Sequence, residues 1–375
     1  MTTERLAETS SVMVLVSHSS AGGAQEIWAN LAEGLAARGH QVTLAALYPY
    51  RATVRETADH LPWNYIVERR PTNILGMVRL VWALIRRLRR DRPKIVFTAM
   101  PAANVLASVC AALAGNGTKV VTSHHSPVQT HNPALDFVDG VAGSLPSVKA
   151  VVSVSNTVSD SLAGKSRAYR NKRITIHNAL PPGVEDYIVG LAEAALPRPA
   201  ANRIVVATGR LAEQKNYPLL IRAAGKLKDV TFNIVGDGPD REALLALRKE
   251  VGAEENVHFL GHRTRKEALA ALAAGEVFAQ VSLFEGHSLA LVEAAKLGLP
   301  LIVSDVPVQI EGITAADGTL CGRSVGIADA DGLARTIDSV LGDPEEYARL
   351  SQLSLKLGAE ATFDAMIDAY ERLLM

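Results

Sequence analysis

Short apolar runs rich in Val and Ile recur along the chain, each followed by a longer stretch with apolar positions at helical spacing. "VMVLVS" precedes "AQEIWANLAEGLAARG", and "KIVFTA" precedes "ANVLASVCAALAG". "KVVTSH" and "AVVSVS" follow, the second leading into "NTVSDSLAG". After Pro197 the alternation restarts with "RIVVATG" then "YPLLIRAAGKL", "TFNIVG" then "REALLALRKEVG", "VHFLG" then "RKEALAALAAG", and finally "LPLIVSD". Continuous apolar runs bounded by turn residues read as strands buried on both faces, so the alternation predicts parallel sheets covered by helices. Its restart predicts two of them. Between the halves, the Pro- and Ala-rich "NALPPGVEDYIVGLAEAALPRPAAN" reads as a linker.

A chain of 375 residues fits this division at about 150 residues per domain. Ligands of open parallel sheets gather beyond the carboxyl ends of the strands, so the loops after these runs are where chemistry is expected. Two such domains facing each other would enclose a cleft. The net charge of +0 gives no overall attraction to nucleic acid. The two cysteines, Cys110 and Cys321, lie far apart without metal-ligand spacing, which fits a reducing cytosol. The start of the chain is polar, and the apolar run at residues 12–16 is too short for a signal sequence or a membrane span.

Several post-strand loops carry candidate chemistry. Gly22 and Gly23 open a helix after the first strand, where paired glycines permit close backbone approach and free amides suit an anion. In "ATGRLAEQKNYPLL", Arg210 and Lys215 precede a helix starting near Tyr217, a poor place for cations unless an anion joins them; taken alone, a solvated basic loop explains them as well. His124 and His125 end another strand, where a structural histidine is the commoner case. The triplet at residues 329–331, "DAD", reads as a turn and helix cap rather than a metal site. Residues 77–93 carry six arginines on an apolar helical pattern. The expectation is a helix whose apolar stripe covers the sheet and whose arginines face water, leaving at most weak attraction to anionic vesicles. In "FEGHSLALVEAAKLGLPLIVSD", Gly286 permits a turn, Ser288 can cap the next helix, and Glu285 and Glu293 are acceptors for sugar hydroxyls while the first helical amides suit a phosphate.

Together these segments resemble the retaining, GT-B fold glycosyltransferases of family 4. "GGAQEIWANLAEGLAARGHQVTL" is similar to that family's opening helix, "GRLAEQKNYPLLIRA" to its Gly-Arg-Leu and lysine segment, "VGDGPDREALL" to its mid-domain turn, and Glu285 and Glu293 to its Glu, seven residues, Glu signature. The resemblance implies an α/β fold of two Rossmann-like parallel-sheet domains across a cleft. An acceptor-binding domain would span 1–180, a linker 181–200 and a donor-binding domain 201–359, with 360–375 crossing back to the first. It implies that Arg210 and Lys215 hold the donor diphosphate and that Glu293 holds the ribose. Glu285 would hold the transferred sugar, helped by the backbone of Gly286, His287, Ser288 and Leu289, with Gly22 and Gly23 closing on the phosphate. His124 matches the family histidine near the sugar, whereas His287 stands where the family often carries an aromatic or apolar residue.

The implied enzyme is a retaining glycosyltransferase using a nucleotide-diphosphate sugar, UDP favoured over GDP, without a metal or other cofactor. Its acceptor would be a saccharide, lipid-linked or other hydroxyl compound in polysaccharide or glycolipid assembly. A cytoplasmic enzyme with at most peripheral contact at the inner face of a membrane is expected, with no nucleic acid partner. No carboxylate is placed as a glycosidase-type nucleophile, which favours a front-face mechanism. The alternatives are a sugar-nucleotide epimerase and a non-catalytic sugar-nucleotide binding protein.

Overall fold

The computed structural model describes residues 9–20, 22–50, 62–195 and 202–375, arranged in two compact units. One comprises Met1–His177 with Asp364–Met375, the other Asn178–Phe363. The polar start of the chain (residues 1–8), the last residues of the expected linker (196–200) and the first residue of the expected donor-binding domain (201) lie outside the described residues.

The first unit carries β1 (Ser11–His18), β2 (Gln41–Tyr48), β3 (Asn64–Tyr65), β4 (Ile95–Ala99), β5 (Lys119–His124), β6 (Val148–Ser153) and β7 (Arg173–Thr175). They form one parallel sheet in the order β3-β2-β1-β4-β5-β6-β7. The second unit carries β8 (Ile204–Thr208), β9 (Thr231–Val235), β10 (Val257–Gly261), β11 (Val277–Gln280), β12 (Leu301–Ser304) and β13 (Arg323–Val325), parallel in the order β10-β9-β8-β11-β12-β13. In each sheet the order reverses beside its first strand, which creates a switch point there.

Alternation across the pleat gives each sheet two apolar faces. On β8, Val205 and Ala207 join one core while Val206 joins the other. In the first unit, Met13 and Leu15 of β1 pack with Leu80, Leu84 and Leu88 of the helix Ile74–Asp91. This helix departs from expectation. Its buried stripe is narrow, and Ile74, Leu75, Val78 and Trp82 form a second apolar stripe that faces out.

The expected linker is also different. Pro182–Ala195 is a helix of the second unit, anchored by buried Ile188 and Ala192 against the core that holds Val206. Pro182 occupies a first-turn position, where its missing N–H has no helical partner to lose, so a proline within the expected linker starts the helix.

The helix Phe363–Glu371 belongs, from Asp364 onward, to the first unit. Tyr370 meets Trp28 and Phe97 edge-on, with ring centroids 5.8 and 5.5 Å apart. Arg38 pairs with Asp364, Asp368 and Glu371, and His40 Nε2 lies 2.9 Å from Glu371 Oε1. No helix among the described residues is long and apolar enough to cross a membrane.

Candidate functional site

The loops after β8 and β11 leave the second sheet side by side at its switch point, and the two motifs of this half sit on them. After β8 the chain turns at Gly209 and crosses the loop that follows β9. A Cβ on Gly236 would lie 1.9 Å from the Gly209 carbonyl oxygen, and one on Gly238 would lie 2.3 Å from that of Leu211. Only glycine lets these backbones touch, and Gly236 also holds φ at +142°. The crossing is pinned by Gly209 N donating to Val235 O at 2.9 Å and Leu211 N to Asp237 O at 3.0 Å. A short 3₁₀ turn, Glu213–Lys215, then leads into the helix Tyr217–Ala224.

This turn reaches the loop after β11. Leu283 N donates to Gln214 O at 2.8 Å, which ties the two loops together. Lys215 Nζ donates to Glu285 Oε1 at 2.6 Å, while Gln214 Nε2 donates to Glu285 Oε2 at 3.2 Å and to the Phe284 carbonyl at 3.0 Å. Glu285 is buried, at 8% exposure, with its charge matched by Lys215. Burial, with Glu285 close by, raises the Tyr217 phenol well above its ordinary value.

Ser288 caps the helix Leu289–Lys296, accepting from Leu291 N at 3.4 Å while its hydroxyl donates to Gln280 Oε1 at 2.7 Å. Gly286 is buried beside Glu285, and the His287 carbonyl accepts from Asn178 Nδ2 at 3.5 Å. As at any helix start, the first amides, beginning with Leu289, have no carbonyl one turn back. Glu293, half-buried on the same helix, accepts from Arg265 Nη2 at 2.6 Å. Each acid of the signature therefore has its own cation. Arg210 is exposed and has no hydrogen bond or ion pair among the described residues. The arrangement offers an uncommitted guanidinium and a helix start for an anion. It also offers two carboxylates whose oxygens retain lone pairs for hydroxyl donors, since each oxygen has two.

In the first unit, His124 ends β5 and is buried, at 2% exposure. The Tyr169 hydroxyl donates to Asp139 Oδ2 at 2.8 Å and lies 2.9 Å from His124 Nε2, so its oxygen accepts the imidazole proton. Burial holds the His124 pKa below its ordinary value, with Asp139 opposing, and raises that of Tyr169, with Asp139 adding to the rise. His125 is half-buried, with Nε2 3.1 Å from Ser123 Oγ and its ring edge-on to Trp28 at 5.0 Å. Gly22 precedes the helix Gly23–Ala37 in an extended conformation with no side-chain cap. Nearby, Gln25 Nε2 donates to Ser20 Oγ at 3.1 Å, and Ser20 Oγ lies 2.9 Å from His18 Nδ1. A pocket of about 690 Å³ opens elsewhere in this unit, where Phe137, Val141 and Val128 line one side and Lys165 pairs with Asp136 at 2.5 Å.

Sequence reasoning missed Gln214, Arg265, Asp139 and Tyr169. Gln214 lies inside a quoted motif, but nothing local marks the others as partners of residues 28 to 45 positions away. Asp329, in the acidic triplet, caps the helix Ala330–Gly342 by accepting from Gly332 N at 2.7 Å. Among the described residues no group of three or more His, Cys, Asp or Glu is placed to hold a metal ion.

Two family profiles match the chain, "Glycosyltransferase Family 4" over residues 21–184 and "Glycosyl transferases group 1" over residues 192–356. Among curated proteins, the lipopolysaccharide core biosynthesis glycosyltransferase LpsE of Rhizobium meliloti (strain 1021) is 30% identical over 190 residues, covering 50% of this chain and 54% of that protein. The D-inositol 3-phosphate glycosyltransferase of Mycolicibacterium smegmatis is 28% identical over 278 residues, covering 68% of this chain and 62% of its own. The chain spans about half the length of the first curated relatives it matches. Among solved structures, Anabaena Alr3699/HepE in complex with UDP and glucose superposes with a TM-score of 0.78 at 18% identity, over 96% of this chain and 98% of that one.

Proposed function

We propose, for a chain that belongs to the GT-B glycosyltransferases of family 4, that it moves a sugar from a nucleotide-diphosphate donor to a hydroxyl acceptor in lipopolysaccharide or other glycan assembly. The observation that carries this reading is the meeting of Lys215 and Glu285 at the switch point, beside the uncommitted Arg210 and the start of the helix Leu289–Lys296. Arg210, Lys215 and the amides from Gly286 to Leu289 hold the donor diphosphate. Glu293 takes the ribose hydroxyls and Glu285 those of the transferred sugar. The solved relative that carries UDP and glucose supports UDP over GDP.

Transfer proceeds with retention. The bond from the anomeric carbon to the phosphate oxygen breaks, the bond to the acceptor oxygen forms on the same face, and the acceptor proton passes to the leaving phosphate. Negative charge grows on that phosphate, and two cationic side chains with fixed amide dipoles are aimed at it, a role that needs no divalent metal in this reading. The first unit, which carries Gly22, Gly23 and His124, takes the acceptor, with the apolar and ionic walls of its 690 Å³ pocket suited to a saccharide or a lipid-linked hydroxyl compound. The protein works in the cytoplasm, meets no nucleic acid, and has only peripheral contact with a membrane.

The test is calorimetric titration with UDP and GDP together with a turnover assay in excess EDTA. Arg210→Ala and Glu293→Ala weaken UDP binding about tenfold or more, whereas Glu285→Gln keeps UDP affinity and lowers turnover about a hundredfold. Equal loss of UDP affinity in all three variants, or wild-type activity abolished by EDTA and restored by magnesium, refutes these assignments. Consumption of the sugar nucleotide without any acceptor would favour an epimerase instead.

A further inference from the structure

The helix Ile74–Asp91 holds the first unit's sheet with one stripe only. Leu80, Leu84 and Leu88 point into the core. On the opposite side, Ile74, Leu75, Val78 and Trp82 are 84%, 71%, 59% and 60% exposed. Spaced about one helical turn apart, they form a continuous apolar strip over the first half of the helix. Strips of this kind are unusual on a surface with no partner.

The second half of the helix changes character. Between residues 68 and 92 the sequence has eight arginines against two acids, Glu68 and Asp91. Asp91 is already taken by Arg87 and Arg90. Arg69, Arg70, Arg79, Arg86, Arg89, Arg90 and Arg92 are exposed. The Arg86 guanidinium lies over the Trp82 ring at 5.2 Å, so the aromatic end of the strip and the basic end meet. At that junction Tyr65, Trp82, Arg86, Arg87 and Arg90 line a pocket of about 190 Å³. It joins guanidinium donors to aromatic walls.

We propose that this face docks on a bilayer containing anionic phospholipid, with the strip from Ile74 to Trp82 sunk to the acyl boundary and the arginines on headgroup phosphates. A helix lying in the interface needs an apolar side and a cationic side, with an aromatic ring at the level between them. The charge argues against a second copy of this chain as occupant. A two-fold contact would set the arginine rows against each other, whereas an anionic leaflet neutralises them. The inference gives the peripheral contact of the preceding reading a defined surface. Its test does not pass through the transfer reaction, so each can fail without the other.

The experiment is co-sedimentation of the full chain with vesicles of phosphatidylcholine alone or mixed with phosphatidylglycerol. The protein partitions onto the mixed vesicles at least tenfold more strongly than onto phosphatidylcholine. The double variants Ile74→Ser with Trp82→Ala, and Arg86→Glu with Arg90→Glu, each reduce that partitioning about tenfold or more, and both keep the wild-type melting temperature because all four side chains are exposed. Raising salt to about 0.5 M weakens binding without abolishing it, since only the ionic part is screened. Equal partitioning onto both vesicle types, wild-type binding by either variant, or complete reversal by salt overturns the proposal. So does a concentration-dependent dimer lost in the Ile74→Ser, Trp82→Ala variant, which would give the strip to a second copy.

Discussion

Replacing Lys215 by Met would leave a buried carboxylate without its cation while keeping an unbranched side chain of similar length. Two limits bracket the effect. An exposed ion pair contributes about 0–1 kcal/mol, while breaking a fully buried one costs about 3–5 kcal/mol. The Lys215 and Glu285 side chains are 16% and 9% exposed, and their atoms meet at 2.6 Å, which places the pair toward the buried limit. Glu285 retains its hydrogen bond from Gln214 Nε2 in the variant, which tempers the loss. We expect Lys215→Met to destabilise the second unit by about 2–3 kcal/mol. For a unit of this size that corresponds to a fall of roughly 4–12 °C in Tm. Glu285→Gln alone strands the lysine and costs about 1–2 kcal/mol. Because both losses have one origin, the double variant should recover, lying at least about 1 kcal/mol above the sum of the single losses. The assay is urea unfolding of all four proteins without nucleotide, followed by tryptophan-independent far-UV circular dichroism. Additive losses within about 0.5 kcal/mol, or a Lys215→Met variant as stable as wild type, would show that the two groups do not depend on each other.

Gly236→Ala should be among the most damaging single changes in the second unit, because the new methyl meets the Gly209 carbonyl and the residue holds a positive φ; a Tm within about 2 °C of wild type would refute the backbone crossing. His124 and His125 give the first unit an acid sensitivity. Burial lowers the pKa of His124, and lowers that of His125 to about 3 from an ordinary 6.5. The unfolded chain therefore binds more protons between those values, so this contribution is complete above about pH 6.5 and is lost as pH falls toward 3. Melting temperatures from pH 7.5 to 5 should decline less steeply for His125→Gln than for wild type, and parallel slopes would contradict the assignment.

Much of the fold can be read from the chain because parallel strands buried on both faces leave continuous Val and Ile runs. The restart after Pro197 marks the second sheet for the same reason. Local chemistry is legible as well: Ser288 and Asp329 cap the helices that follow them, and Arg210 and Lys215 lie in the loop after a strand. Less legible are features decided by distant partners. Lys215 and Glu285 stand 70 residues apart, and only the adjacency of β8 and β11 brings them together. Tyr169 joins His124 and Asp139 from a helix of four residues, too short to show a period. β3, β7 and β13, with two or three residues each, leave no alternation to detect. The helix Ile74–Asp91 defeats a periodicity argument differently, since two apolar stripes fit one helix and spacing cannot say which meets the core.

The helix Phe363–Glu371 closes the first unit although the whole of the second precedes it in the chain. A ribosome therefore releases every strand of both sheets before it releases Tyr370. Until then Trp28 and Phe97 lack the ring that packs against them, and Arg38 lacks its three acids. Vectorial synthesis usually lets the amino-terminal domain mature first. Here that order is inverted, because the later-made unit can finish while the earlier one waits with an aromatic surface uncovered. Released chains truncated after Phe363 should carry a protease-resistant second unit and a chaperone-accessible first one.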